Sequence, residues 1–237
     1  MESLFVMSNI IKNAFVSSVA IGVFTASSAA MAQASVTFEV TSNKIGRGVP
    51  TSNDGPGVTG NLVKNFSNGA YLGVIGSNVH LPPSEFTKQT YEVDVYGGYS
   101  KAFPNGFYFD VGYMYYAFPA ASSELSGTDY SEVYGVLGYK NFAFEVDYTL
   151  DKKDSDGSDD NEHDVYFKGT YTKKLKSGIE YSFTAGRVDS ASGSDYNHYQ
   201  AAISKNSFKL AIDDNNIKDF GLGDPRISVT WTKVMDF

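Results

Sequence analysis

From Ser35 to the end, apolar and polar residues alternate in runs of about ten, with turn residues between the runs. In the clearest run, Phe142, Phe144, Val146, Tyr148 and Leu150 share one parity, and Ala143, Glu145, Asp147 and Thr149 the other. Successive side chains of a strand point to opposite faces, so this strand has one oily and one charged flank. Tyr91, Val93, Val95 and Tyr99 oppose Glu92, Asp94 and Tyr96 in the same way. So do Phe107, Phe109, Val111, Tyr113 and Tyr115 against Tyr108, Asp110, Gly112 and Met114. The pattern predicts twelve strands, at 35–48, 57–66, 70–78, 90–101, 107–117, 129–139, 142–150, 163–173, 179–188, 196–205, 208–214 and 226–237. Two are less sharply written. Residues 71–78 are apolar or small on both faces, and Lys233 falls on the face of Val229 and Trp231, which asks for a bulge or for snorkelling.

The connections alternate without exception between tight turns (67–69, 102–106, 140–141, 174–178, 206–207) and longer segments (49–56, 79–89, 118–128, 151–162, 189–195, 215–225). Short turns on one rim and long loops on the other are the arrangement of an outer-membrane barrel. The expected fold is therefore all-β, an antiparallel up-and-down transmembrane β-barrel of about twelve strands. Both termini would lie on the periplasmic side. The last strand ends on Phe237, as outer-membrane barrels usually do, so the barrel assembly machinery is an expected partner.

Composition agrees with this pattern. The chain has 17 Tyr, 17 Phe, 23 Gly and no Cys, so no disulfide framework supports an exported fold. Residues 1–34 read as a cleaved secretory signal: Lys12, an apolar stretch from Phe15 to Phe24, and the small-residue site Ala32-Gln33-Ala34. Residues 35–237 then form the barrel in the outer membrane of a Gram-negative cell. The net charge of −8 argues against nucleic acid as a partner.

Ser42-Asn43-Lys44-Ile45-Gly46-Arg47-Gly48, followed by Gly55-Pro56-Gly57-Val58-Thr59-Gly60, resembles the first hairpin of the TorF-like porins of proteobacteria. Residues 71–79, 92–99, 109–116 and 132–135 are similar to the strands that follow in that family. The resemblance covers about 41–150 and grows looser beyond. It implies an outer-membrane barrel with a porin role, and carries no established substrate or catalytic residues.

The polar flank is expected to face a lumen, lined by Glu39, Arg47, Glu92, Asp94, Tyr96, Asp110, Glu132, Tyr134, Glu145, Asp147, Asp164, Lys168, Glu180, His198, Lys209 and Asp213. Twelve strands enclose more than the eight-stranded size that side chains fill, yet less than a general porin. An acid-lined pore favours cations. The reading is passive diffusion of small hydrophilic solutes, sieved by tyrosines. The alternative is a non-conducting structural or adhesive barrel, blocked by Tyr96, Tyr108, Tyr134 and Tyr166 with acids and bases paired across it. Arg47, between two glycines on the inward parity, is either a constriction residue facing the carboxylates or a rim arginine meeting lipopolysaccharide phosphates.

Other chemistry is thinly supported. The acidic loop 151–162 lacks the spacing of an EF-hand and reads as solvated, with weak divalent bridging to lipopolysaccharide as the sharper reading. His80, His163 and His198 show no nucleophile at recognisable spacing, so no enzyme is expected. No cofactor or metal site is expected either.

Overall fold

The structure, a computed structural model, describes residues 33–80, 90–119, 129–153, 159–160, 163–191, 193–218 and 221–237. Residues 1–32 of the expected leader, and the acidic side chains of the 151–162 segment, lie outside the described residues.

Twelve strands follow one another around a closed antiparallel ring: β1 (Gln33–Thr41), β2 (Gly57–Asn65), β3 (Ala70–Val79), β4 (Thr90–Ala102), β5 (Phe107–Ala117), β6 (Tyr130–Tyr139), β7 (Phe142–Lys153), β8 (Val165–Lys174), β9 (Glu180–Asp189), β10 (Tyr196–Lys205), β11 (Phe208–Asn215) and β12 (Arg226–Asp236). Each strand pairs with its sequence neighbours, and β12 pairs with β1 from Ser35↔Asp236 to Thr41↔Thr230. Phe237 exchanges backbone hydrogen bonds with Ala34, which extends that seam. Closure leaves the twelve strands without a free edge along the ring, so their ladder donors and acceptors pair within it; the two-residue strand Asp159–Asp160, paired with Lys152–Lys153, stands outside.

Five tight turns form one rim. Each places a residue in the left-handed region: Gly69, Gly106, Lys140, Gly178 and Asn206. The longer connections leave and re-enter the sheet at the opposite rim.

Side-chain parity follows the sequence. Leu72, Val74, Val95, Val111, Leu137, Phe144, Phe183, Ile203, Leu210, Ile212 and Val229 stand exposed on the outer wall. A soluble protein would bury such side chains; here they form a continuous oily belt. Near the tight-turn rim the belt turns aromatic. Phe107 and Tyr139 lie 4.4 Å apart, Phe142 and Tyr171 4.9 Å, and Tyr99 and Phe109 6.0 Å, between ring centroids. Amphipathic rings of this kind sit at the headgroup level. Strand β3, ambiguous in sequence, turns Tyr71, Ile75, Ser77 and Val79 inward and Leu72 and Val74 outward. Lys233 keeps the outward parity in an unbroken register opposite Phe38, so no bulge accommodates it.

The first strand is shorter than its sequence suggests. The expected run 35–48 ends at Thr41, and the chain then turns into the barrel. Ile45–Gly46 and Val49–Pro50 pair as a miniature hairpin whose tip is Arg47-Gly48. Both tip residues have positive φ, 44° and 81°, the signature of a two-residue type I′ turn.

Candidate functional site

The inner hairpin makes the site. Asn43, Lys44, Arg47, Val49, Thr51 and Ser52 are all buried; the first three were expected at the end of the first strand, and the last three in the outer connection 49–56. Its polar backbone is tied down locally. Thr51 N donates to Lys44 O at 2.7 Å, Lys44 N to Ser52 Oγ at 2.9 Å, and His80 N to Thr51 O at 2.9 Å.

Arg47 crosses the lumen from this hairpin. Its Nη2 donates to Glu132 Oε2 at 2.9 Å and to Asp147 Oδ2 at 2.8 Å. The guanidinium carbon stands 4.2 Å from the centre of the Tyr166 ring, a cation–π contact. Glu132 is held in turn by Tyr116 Oη at 3.1 Å and Thr149 Oγ1 at 3.3 Å. Removing a buried charge from water costs several kcal/mol, so Arg47 stays only because two carboxylates and a ring receive it. The arrangement is incomplete, however. Both ion pairs use Nη2, while Arg47 Nε and Asp147 Oδ1 are buried with no hydrogen-bond partner among the described residues. Each such group costs about 1–3 kcal/mol.

A β-bulge shapes the carboxylate wall. Between β6 and β7 the register shifts at Ser131/Glu132, and Tyr130, Ser131 and Glu132 are buried in succession. Bulges re-aim side chains in this way. Tyr130 then stacks on Tyr116 at 4.3 Å.

Two more contacts fix the hairpin. Lys44 Nζ bonds Ser77 Oγ at 2.5 Å and lies 3.8 Å from Glu92 Oε1, with the fully buried Asp94 two residues along the same face. Gly48 O accepts from Asn215 Nδ2 at 2.7 Å. A Cβ on Gly48 would fall 2.3 Å from His198 Cβ, so only glycine lets the tip come this close. Val49, Tyr166, Val188, Tyr196, Ile217 and Leu222 form an apolar cluster around the tip, and the described part of the β11–β12 connection completes it. Among the described residues, the hairpin and this cluster thus occupy the lumen toward the long-loop end.

The tyrosines do less blocking than expected. Tyr96, Tyr108 and Tyr134 lie flat on the wall, over the inward glycines Gly73, Gly138 and Gly112 of neighbouring strands. Tyr71 bonds both Asp110 and Tyr134. Beneath the hairpin a polar cavity of about 180 Å³ remains, lined among others by Glu39, Asn61, Gln200, Lys209, Asp213 and Thr230.

All sixteen residues expected inside are buried or half-buried, Arg47 and Asp164 outside the strands and the rest on the strand parity opposite the exposed wall. They do not form one constriction. Arg47, Glu132 and Asp147 meet at the hairpin tip, with His198 close to its Gly48 and bonded to Tyr166 Oη at 2.8 Å. Lys168 pairs with Glu145 at 2.7 Å. Asp213 accepts from Gln200 at 2.7 Å beside the cavity, and Glu39 from Thr232. Asp164 caps the turn after β9 through Ser190 Oγ and Ala191 N. Glu180 faces inward near the tight-turn rim. Arg47 reaches the interior from a turn and not from the first strand, because Gly46-Arg47-Gly48 reverses the chain there. Lys44, Tyr116, Tyr130 and Asn215 were not foreseen as site residues. The two flanking glycines and Pro50 were the available signal.

His163 Nδ1 lies 3.0 Å from Thr149 O and stacks on Tyr148 at 5.2 Å. Among the described residues no group of His, Asp and Glu is placed to hold a metal ion.

Solved structures share this architecture. A KdgM porin aligns with a TM-score of 0.51 at 10% identity, over 86% of this chain and 98% of that one. An outer membrane channel from Pseudomonas putida F1 aligns with a TM-score of 0.50 at 8% identity, over 89% and 97%. At such identities the likeness is one of fold. No curated protein matches the chain. The family described as a bacterial protein of unknown function, Gcw_chp, matches residues 25–215, most of the length, and the chain belongs to that family.

Proposed function

We propose that this chain is a channel of the bacterial outer membrane, occluded at its outer end in the conformation described, for small hydrophilic solutes with a preference for cations. One pattern supports the reading: buried or half-buried, on the parity away from the oily wall, are Glu39, Glu92, Asp94, Asp110, Glu132, Glu145, Asp147, Asp164, Glu180 and Asp213 against Lys168 and Lys209, with Lys44 and Arg47 on the inserted hairpin. A polar tube with that imbalance attracts cations and repels anions. Closure rests on a folded segment rather than on the wall, so passage requires the inner hairpin to withdraw. The resemblance to TorF-like porins supports the same role. A KdgM porin has been solved in complex with disordered oligogalacturonate, a chain of acidic sugars; the acid-rich wall here argues against a cargo of that sign. The reading is of a non-enzymatic protein that spans the outer membrane after export, with the Phe237 strand presented to the assembly machinery and Arg187 and Arg226 near the lipopolysaccharide.

Purified protein in a planar bilayer under a salt gradient tests this reading. The expected result is rare, small openings in the intact protein, frequent openings after deletion of residues 43–52, and a cation-selective reversal potential. Anion selectivity, or silence in the deletion variant, rejects it. The packed hairpin itself favours the second reading, a barrel that never conducts and acts through its surface loops. There, removing loop 151–162 changes surface binding and leaves permeability alone.

A further inference from the structure

We propose that the pocket filled by the Arg47 side chain is a recognition site for free guanidinium-bearing solutes, and that the hairpin occupies it as a tethered stand-in. Two properties of the pocket point to a ligand. Its walls belong to the barrel, whereas its occupant belongs to an inserted turn. Glu132 comes from β6, Asp147 from β7 and Tyr166 from β8, and Glu132 is oriented by Tyr116 and Thr149 independently of Arg47. Tyr166 is likewise oriented by His198 Nε2 at 2.8 Å. Two of its three walls, Glu132 and Tyr166, therefore keep a partner when the hairpin leaves.

The occupant is also badly seated. A guanidinium offers five in-plane donors and prefers to grip a carboxylate with two of them. Here one nitrogen serves both carboxylates, while Nε and Asp147 Oδ1 remain without hydrogen-bond partners among the described residues. The tether explains the misfit: the Arg47 backbone is fixed at a positive φ of 44° in a two-residue turn, and Gly48 is pinned against His198 and Asn215. An untethered guanidinium can rotate in its own plane, meet both oxygens of Asp147, and keep its face on Tyr166.

The pocket also selects among cations. A flat delocalised ion satisfies an aromatic face and two in-plane carboxylates together, whereas an ammonium has no face to stack. Anions are excluded by the paired acids. This inference rests on the channel reading for what the site does, namely admit the solute that displaces the hairpin; the site itself is readable without current.

The test uses the full-length barrel in detergent, with folding checked by heat-modifiable gel mobility. Arg47→Ala empties the pocket, and methylguanidinium and methylammonium are titrated by calorimetry. Arg47→Ala should bind methylguanidinium at least tenfold more tightly than methylammonium, and at least tenfold more tightly than the intact protein does. Adding Asp147→Asn should abolish that preference. Equal affinity for the two ions, no binding by folded Arg47→Ala, or binding indifferent to Asp147→Asn each overturns the proposal. Should Arg47→Ala fail to fold, Arg47→Gln is held to the same three outcomes. A barrel that conducts without guanidinium preference loses this site and keeps its channel; one that binds methylguanidinium yet never conducts keeps the site and loses the channel.

Discussion

Arg47 Nη2 lies 2.8 Å from Asp147 Oδ2, a contact made across the lumen between residues one hundred positions apart. The backbone ladders of the ring join only neighbouring strands. This contact joins the first connection of the chain to its seventh strand, and it decides what the interior can do.

Replacing Arg47 by Met should therefore cost about 3–5 kcal/mol, because Glu132 and Asp147 are left buried without their cation. Adding Glu132→Gln and Asp147→Asn should recover most of the loss. Urea unfolding in micelles reads both values.

Gly48→Ala should loosen the hairpin. The left-handed φ of 81° costs an alanine about 1–2 kcal/mol, and its Cβ would meet His198 Cβ at 2.3 Å. The variant should become sensitive to protease within 43–52, where the intact protein resists. A second change, His198→Gly, should relieve the collision and leave the backbone strain.

The outer wall gives a depth-dependent prediction. Val111 is exposed at mid-strand and Phe66 at the tight-turn rim. An arginine at Val111 should cost about 2–4 kcal/mol in bilayers, and one at Phe66 about 0–1. Equal costs would mean that the belt does not face lipid.

Asp54 supplies a pH prediction outside the membrane span. Burial disfavours its charge, but hydrogen bonds from Arg226 and Asn43, and the Arg226 charge, outweigh burial and hold the carboxyl below its ordinary 3.8. A lowered value means that the charged form stabilises the fold. The contribution is complete above the ordinary value and disappears as pH falls through the lowered one. The stability gap between the intact protein and Asp54→Asn should be constant near neutrality and close in acid.

The barrel was legible because parity along a strand is a strict period, and a membrane wall punishes every violation. Glu145 and Asp147 could be placed inward from Phe144 and Val146 alone. The hairpin was not legible for the same reason: Arg47 falls on the inward parity of Glu39 by coincidence, although the strand has already ended at Thr41. The Glu132 bulge is set by an extra residue on β7 and leaves no mark on β6. Strand β3 was ambiguous because Gly73 and Gly76 carry no side chain to declare a face; the Tyr96 ring over Gly73 resolves it.

The position of the hairpin in the chain also dictates an order of events. Its receptors Glu132 and Asp147 lie on β6 and β7, far along the chain from the turn that they hold. Until those strands are in place, the turn has nowhere to dock. Its engagement therefore depends on correct pairing of β6 with β7, and a misaligned seam between them would leave the mouth ajar.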